Sequence, residues 1–318
     1  ARFRGDPDTL SLREIRAKAD QSVITGTLNI DWRGQPSLNF KLNADQINLD
    51  RYMSNSSAGK GKTGSKEKEW DFRFMRTFRA QGEMSVSRFS VMRFTVQNLR
   101  TRYKLENGKL TSDSITGQFY GAPIISKGTI TFNKGLSFSN TLTINNFDLT
   151  DASNARGGSA ALRGKGSVHS DIHASLTGPD QLPALLNGKW RVEVLNGSFQ
   201  HRTPEGSLKG KPTPITASGA SGSITNGVAR SSDFYLKGPG LQVNGGGWID
   251  FNTETLDCNF NVSMKNVPDF PLRLYGNLDN TKTSIGAGTL ILNTLGDITK
   301  GFVDVLGGIV EGTWKLFR

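Results

Sequence analysis

Three histidines and one cysteine are the side chains best suited to metal binding or nucleophilic chemistry. His169 and His173 stand four residues apart, the spacing that places two imidazoles on one face of a helix. They lie, however, where apolar and polar residues alternate, and four residues along a strand span about 13 Å, too far for one metal ion. Cys258 belongs to an alternating apolar run, which predicts a small buried side chain rather than a nucleophile. We therefore predict no metal site and no catalytic residue.

Two glycine-rich segments imitate nucleotide-binding motifs. Gly61-Lys62-Thr63 has the ending of a phosphate-binding loop, but that loop needs a glycine in place of Ser56 and a helix after the motif. Gly245-Gly246-Gly247 leads into a strand pattern, so it lacks the helix of a dinucleotide-binding fingerprint. No carboxylate pair and no Ser/His/Asp set stands out. We predict that the chain is not an enzyme and uses no cofactor.

Alternation of apolar and polar residues with a period of two dominates the chain. It is clear over residues 27–32 and 38–44, and it is longest over residues 256–264. Turn signals interrupt these runs at residues 106–108, 133–135, 196–197 and 226–227. The alternation of Arg with Phe over residues 70–78 also predicts a strand with one apolar side. The pattern predicts an all-β fold built as a long antiparallel meander.

Helical signals are few. Residues 180–187 predict a short helix, with Asn187-Gly188 as its stop. Residues 289–318 predict a C-terminal amphipathic helix that caps the sheet or contacts a membrane, or else packs back on the sheet. Its apolar stripe contains Leu295, Ile298, Phe302, Leu306 and Ile309. Five segments are predicted: a β unit over 1–53, a flexible linker over 54–70, β units over 71–150 and 151–288, and the helix over 289–318.

The chain of 318 residues is basic, with 39 Lys and Arg against 28 Asp and Glu, and most of the excess lies in residues 1–110. Seven of its thirteen arginines lie between residues 73 and 102, namely Arg73, Arg76, Arg79, Arg88, Arg93, Arg100 and Arg102. Two interpretations stay open: a polar strand face, or attraction to an anionic membrane surface. The aromatic residues nearby do not form a stacking platform, and we predict no nucleic-acid partner. Because the sequence starts at Ala1 without a methionine, we expect a fragment or a processed form.

A sheet of this length must hide its apolar face, either in a sandwich, in a barrel, or in an open groove that holds a ligand. Apolar residues make up 35% of the chain, and glycine is frequent, with 37 residues. That composition suits a sheet with a single apolar face and sharp bends, but the pattern by itself does not choose between sandwich and groove.

Several motifs resemble the C-terminal portion of the AsmA family of bacterial envelope proteins. Residues 36–52 are similar to the family's L-x-A-D-x-(I/L)-x-L-D-x-Y unit, which a variable linker follows. Residues 94–122 resemble its repeated strand unit, and residues 185–199 its L-N-G unit. Residues 224–280 follow its closing order, although Thr281 stands where the family usually has proline.

The resemblance implies a periplasmic protein, held at the inner membrane by an N-terminal anchor that this sequence lacks. It further implies a long curved β-sheet forming an elongated open groove that moves phospholipid between the inner and outer membranes and supports outer-membrane homeostasis. The expected partners are phospholipid acyl chains and an envelope protein. Direction would come from elsewhere, because a groove supplies no energy.

We expect the groove lining to include one apolar set from the alternating runs. This set is Leu28, Ile30, Phe40, Leu42, Val96, Ile130, Phe132, Leu142, Ile144, Ile249, Phe251, Phe260 and Val262. For each of them, the alternative is an ordinary core position. Two other functions remain open: a non-enzymatic envelope assembly scaffold with a self-filled β core, and an adhesin-like secreted β protein.

Overall fold

A computed structural model describes residues 1–48, 71–91, 94–156, 160–177, 184–202, 208–278 and 280–286. The described residues form seventeen strands, paired mostly antiparallel, which confirms the predicted all-β class. The strands are β1 (Arg2–Gly5), β2 (Thr9–Ala19), β3 (Ser22–Asp31), β4 (Ser37–Asn48), β5 (Arg79–Val91), β6 (Phe94–Glu106), β7 (Lys109–Phe119), β8 (Ala122–Asn133), β9 (Gly135–Asp148), β10 (Ala160–Leu176), β11 (Asn187–Arg202), β12 (Leu208–Thr225), β13 (Val228–Gly238), β14 (Leu241–Asp250), β15 (Thr255–Met264), β16 (Val267–Asn277) and β17 (Asn280–Ile285).

The chain divides into two compact units. Unit 1 comprises Ala1–Ile144 with Asp171–Leu182, and unit 2 comprises Asn145–Ser170 with Pro183–Arg318. Within unit 1, β1 to β9 pair in chain order. Within unit 2, β11 to β17 do the same. These described registers form an open ladder in each unit. The predicted linker over 54–70 lies outside the described residues.

One pair of strands departs from the antiparallel meander that the sequence predicts. β4 and β5 are parallel, with Ser37 opposite Arg79 and Ala44 opposite Val86. A parallel pair needs a long connection that returns the chain to the end where it started. Residues 49–78 supply the length for that return, and the Arg79 N–H then donates to the Pro36 carbonyl at 2.8 Å.

Short helical segments also differ from expectation. Residues 73–76 form a 3₁₀ turn, so the strand predicted over residues 70–78 is wrong there. Part of the helix predicted at 180–187 lies outside the described residues, but Asn187 already begins β11. The α-helix of the described chain, α1 (Leu149–Arg156), was not predicted. Asp148 caps it, because its Oδ1 accepts from the Thr150 N–H at 2.8 Å.

The Asn-Gly signals are confirmed at two hairpins and wrong at a third position. Asn107-Gly108 and Asn226-Gly227 both have positive φ at each residue, as a tight two-residue turn requires. Asn196-Gly197 instead lies inside β11, where Leu195 is opposite Ala217 and Gly197 is opposite Ile215. Asparagine tolerates a left-handed φ, 49° at Asn196, without reversing the chain.

In unit 2, the apolar side chains of β13–β16 form a closed core on one face of the sheet. Leu236 and Val243 lie directly opposite each other and are both 0% exposed. Val262, Leu272 and Leu274 on the next strands are buried as well. The intervening positions, such as Gln242 and Asn261, are exposed. The burial therefore follows the two-residue period of the sequence.

This burial predicts a large effect for a truncation on the apolar face. Leu236→Ala should lower the free energy of unfolding by about 2–5 kcal/mol, because it leaves a cavity where no solvent reaches. Gln242→Ala, on the adjacent strand but exposed, should change it by less than about 0.5 kcal/mol. Urea unfolding followed by circular dichroism would measure both, and equal effects would contradict the assigned faces.

Candidate functional site

The apolar side chains of unit 1 also share one face of their strands. One row crosses this face close to the β3–β4 turn, and each of its members lies directly opposite the next, so all of them point to the same side. This row, called the rim row below, consists of Leu10, Ile30, Leu38, Ala80, Leu105, Leu110, Ile130 and Phe138.

All the groove residues predicted in unit 1 lie on the face of the rim row. Ile30 and Ile130 are members of it. Six others follow at even spacings along the same strands, namely Leu28, Phe40, Leu42, Phe132, Leu142 and Ile144. Val96 joins them because a Cβ built on Gly117, which lies opposite Ile124, would meet its Cγ1 at 2.8 Å.

Val96 reaches this face through a change of phase that the alternation does not show. Asn98 has a φ of 52°, and both Gln97 and Asn98 are exposed. The inward positions therefore shift from Leu99 to Val96 across a three-residue step. An asparagine within an alternating run was the available signal, because asparagine adopts positive φ more readily than most residues.

Unit 2 holds the remaining predicted groove residues. Phe260 lies opposite Leu272, and Val262 lies opposite Phe270. Ile249 lies opposite Leu256 on the same face. Phe251 is buried too, but it lies in the turn after β14, where its N–H donates to the Gly227 carbonyl at 3.0 Å, rather than on a strand.

Exposure separates the apolar faces within the two units. Along β2–β4 of unit 1, most apolar side chains are only half-buried. Along β13–β16 of unit 2, the side chains of the same face are largely closed to solvent. The side chains on β2–β4 therefore keep contact with solvent, whereas those on β13–β16 cover one another.

A small polar patch interrupts the apolar face of unit 1, and sequence reasoning missed it. Thr101 and Ser112 are both buried, and their hydroxyls lie 2.7 Å apart. Asn140 donates from its Nδ2 to the Ser126 Oγ at 3.0 Å. Each buried hydroxyl thus has a partner, which removes most of the cost of burial.

The opposite face of unit 1 is polar and hydrogen-bonded across strands. Gln81 donates to the Asn39 Oδ1 at 2.8 Å, and the Arg102 Nε donates to Glu83 at the same distance. A depression of about 480 Å³ on this part of the sheet is lined mainly by polar and charged side chains, among them Lys41, Arg100 and Arg102. Such a lining does not suit an acyl chain.

The described arginines between residues 73 and 102 occupy two different places in unit 1. Arg88, Arg100 and Arg102 are exposed on β5 and β6. Arg73, Arg76 and Arg79 instead lie at the end of the sheet near the β3–β4 turn. Arg93 lies outside the described residues. The polar strand face therefore accounts for one group but not for the other.

The candidate chemical residues lie on strands. His169 and His173 are both on β10, as the alternation predicts, and His201 is on β11. Cys258 is buried on the apolar face of β15, which confirms the prediction of a small buried side chain. In the part of the chain that the structure describes, no group of three His, Cys, Asp or Glu residues could hold a metal ion.

The predicted C-terminal helix over 289–318, with its apolar stripe, lies outside the described residues. Among the residues that are described, no helix has the length and apolarity to cross a membrane.

The fold and the face together define a class: an all-β protein whose strands carry one apolar and one polar face. Comparison of the chain with protein-family models, with curated proteins and with solved structures gives no match. The resemblance to the AsmA family therefore stays a prediction that rests on the sequence motifs.

The surroundings of Cys258 predict low thiol reactivity. Burial, aided by the charge of Asp257, raises the pKa of the thiol to about 11. At pH 8, the thiolate fraction should be roughly a hundredfold smaller than for an ordinary thiol, and it should rise as the pH approaches that pKa. Intact mass spectrometry after iodoacetamide treatment should show slow labelling of the folded protein and fast labelling in urea. Rapid labelling of the folded chain would contradict this.

Proposed function

We propose that this chain is a periplasmic lipid-binding protein that moves phospholipid between the inner and outer membranes and supports outer-membrane homeostasis. The apolar face of unit 1 would form an open groove for acyl chains, and the polar headgroups would stay in water. The observation that carries the proposal is the half-buried apolar face of β2–β4, backed by a polar, hydrogen-bonded face.

Burial of acyl chains supplies the energy of binding in this proposal. Each CH₂ group that leaves water contributes about 0.8 kcal/mol, so a chain that covers several rows of the face is held without any specific contact. Because neighbouring rows are chemically alike, a chain can slide from one to the next at little cost. The role is passive and non-catalytic, and the direction of transfer comes from the membranes or from an envelope partner.

The proposed location rests on the sequence motifs. Residues 36–52 and 224–280 carry the AsmA-like order, and proteins of that family are held at the inner membrane by an N-terminal anchor. The periplasm suits the chain in one further respect, because its single cysteine is buried and needs no partner.

A second candidate function is a non-enzymatic scaffold for envelope assembly, and the core of unit 2 favours it. Leu236, Val243 and Leu274 are completely buried by neighbouring side chains, as in a self-filled β core. A chain in which unit 1 behaved in the same way would bind partners but no lipid. The two functions therefore differ in one measurable property, which is lipid carried by the purified protein.

Native mass spectrometry of protein purified without detergent tests the proposal. The wild-type chain should carry phospholipid, and Leu28→Glu should lose most of it, because the carboxylate lies among the apolar side chains of β3. Thr27→Glu is the matched control, since Thr27 is exposed and faces the other side beside Lys41.

Thr27→Glu should retain the wild-type lipid. Leu28→Ser provides a milder variant if Leu28→Glu fails to fold, and circular dichroism reports folding for each. A wild-type protein that carries no lipid and binds no fluorescent phospholipid would overturn the proposal in favour of the scaffold. Undiminished lipid in both Leu28 variants would reject this face as the lining.

A further inference from the structure

The turns at one end of unit 1 form a single hydrogen-bonded surface. The Phe72 N–H donates to the Asn133 carbonyl at 2.9 Å, and the Phe132 N–H donates to the Gly108 carbonyl at 2.7 Å. The Arg79 side chain donates to the Gln35 Oε1 at 2.7 Å. These bonds join residues 32–36, 71–79, 107–109 and 133–134, which are called the basic end below.

Two large apolar side chains project from the basic end. Trp32 is 46% exposed and Phe74 is 58% exposed, although each belongs to a turn that is tied to its neighbours. The Gln35 side chain donates to the Arg76 carbonyl at 3.4 Å, which links the turns that carry them. On the same set of turns, Phe72 packs edge-on against Phe132 with ring centroids 5.6 Å apart. The two exposed rings therefore belong to turns that are fixed to one another by hydrogen bonds and ring contacts.

The charges of the basic end are predominantly positive. Its cations are Arg33, Arg73, Arg76, Arg79, Lys109 and Lys134. Asp71 lies on the same turns, and the adjoining strand ends add Asp31 and Glu106. Each of these acids forms an ion pair with a nearby Lys or Arg.

Asp31 pairs with Arg33 at 2.7 Å, Asp71 with Arg73 at 2.6 Å, and Glu106 with Lys104 at 2.8 Å. The side-chain hydrogen bonds from Arg33 and Arg73 lower the pKa of Asp31 and Asp71 to about 2, so both pairs persist at neutral pH.

The adjacent β1–β2 turn adds two further acids, Asp6 and Asp8. Their negative charges act on Arg33. Asp6 accepts from the Thr9 hydroxyl at 2.9 Å and from the Asp8 N–H. The hydrogen bond with Asp31 is the main cause that raises the pKa of Arg33, and the charges of Asp8 and Asp6 add to it. The remaining positive charge of the basic end is carried by Arg76, Arg79, Lys109 and Lys134, which are all exposed.

We propose that the basic end of unit 1 docks on the anionic phospholipid surface of a bilayer. Exposed Trp and Phe rings insert at the level of the headgroups, and Lys and Arg beside them are attracted to anionic lipid. A protein that binds nucleic acid usually presents a continuous cationic groove. Here the cations lie on separate turns, which also carry two exposed aromatic rings.

The position of the rim row supports docking at this end. Leu38 and Ala80 directly follow Ser37 and Arg79 on their strands, and Leu110 follows Lys109. The apolar face therefore begins one residue behind the docking surface. If the proposed lipid transport holds, on which this last step rests, a lipid leaving the bilayer would meet the rim row first. Docking itself does not depend on transport.

Vesicle co-sedimentation tests the docking of the whole chain. The wild-type protein should bind vesicles of equimolar phosphatidylcholine and phosphatidylglycerol, and should bind more weakly as salt rises. Arg76→Gln and Lys134→Gln should each weaken binding about fivefold, and the double variant should lose about 25-fold. Trp32→Ala with Phe74→Ala should weaken it about tenfold even at high salt, because that contribution is apolar.

Matched controls lie elsewhere in unit 1. Lys18→Gln removes an exposed cation from the end of β2 next to the β2–β3 turn, and Ile125→Ala removes an exposed apolar side chain from β8. Both should leave binding unchanged. If the two control variants lost as much vesicle binding as the basic-end variants, the proposal would be overturned, because the attraction to the vesicles would then not depend on the basic end. Absence of vesicle binding by the wild-type chain would overturn it in favour of a protein partner.

Native mass spectrometry of the same variants separates docking from transport. Trp32→Ala with Phe74→Ala should retain the lipid of the wild-type chain, since neither residue belongs to the rim row. A wild-type chain that binds anionic vesicles but carries no lipid would reject the proposed transport and leave docking standing. A wild-type chain that carries lipid but does not bind anionic vesicles would reject docking and leave the proposed transport standing.

Discussion

Strand register is the constraint on which the rest of this structure depends. Backbone hydrogen bonds decide which residues lie opposite each other, and opposite residues share a face. Because Leu38 lies opposite Ile30 on one side and Ala80 on the other, every second residue of three strands is committed to the same surface. A slip of one residue would exchange that surface for Asn39, Gln81 and their polar neighbours.

Glycines let large side chains lie flat on the apolar face. A Cβ built on Gly82 would fall 2.6 Å from the Phe40 ring, and one built on Gly245 would fall 2.7 Å from the Phe260 ring. Each would also meet a backbone carbonyl at 2.2 Å. Phenylalanine on one strand thus occupies the space above glycine on the next. The abundance of glycine reflects this complementary packing as well as bends and turns.

Much of the fold could be predicted from the sequence because the alternation of apolar and polar residues shows which side chains share a face of a strand. Residues 256–264 show it without interruption, and Leu256, Cys258, Phe260 and Val262 are all buried. Prediction failed at two asparagines with positive φ. Asn98 shifts the inward positions of β6, and Asn196 lies within β11, where a turn was expected. Polar type alone does not say whether an asparagine starts a turn or sits within a strand.

The candidate site could be predicted only as far as its face. The parallel pairing of β4 with β5 depends on where the chain returns after residues 49–78, which periodicity does not encode. The sequence also does not show how exposed each apolar side chain is, since Leu28 and Phe260 occupy the same kind of position in the alternating pattern. Leu28 remains half-buried, whereas Phe260 is covered and stacks edge-on against Phe234 with centroids 5.1 Å apart. What a strand packs against, rather than its own sequence, decides between lining and core.

That difference gives the apolar faces different physical requirements. On β13–β16, side chains such as Leu236 and Leu274 already bury one another, so the face is complete without a ligand. On β2–β4, Leu12, Leu28 and Phe40 keep contact with water, and an apolar face that stays in water favours aggregation. In the proposed function, acyl chains would cover that face without requiring a polar contact from the protein. The polar face opposite would stay hydrated with or without lipid, so exchange of the ligand would not disturb the hydrogen bonds that hold the strands in register.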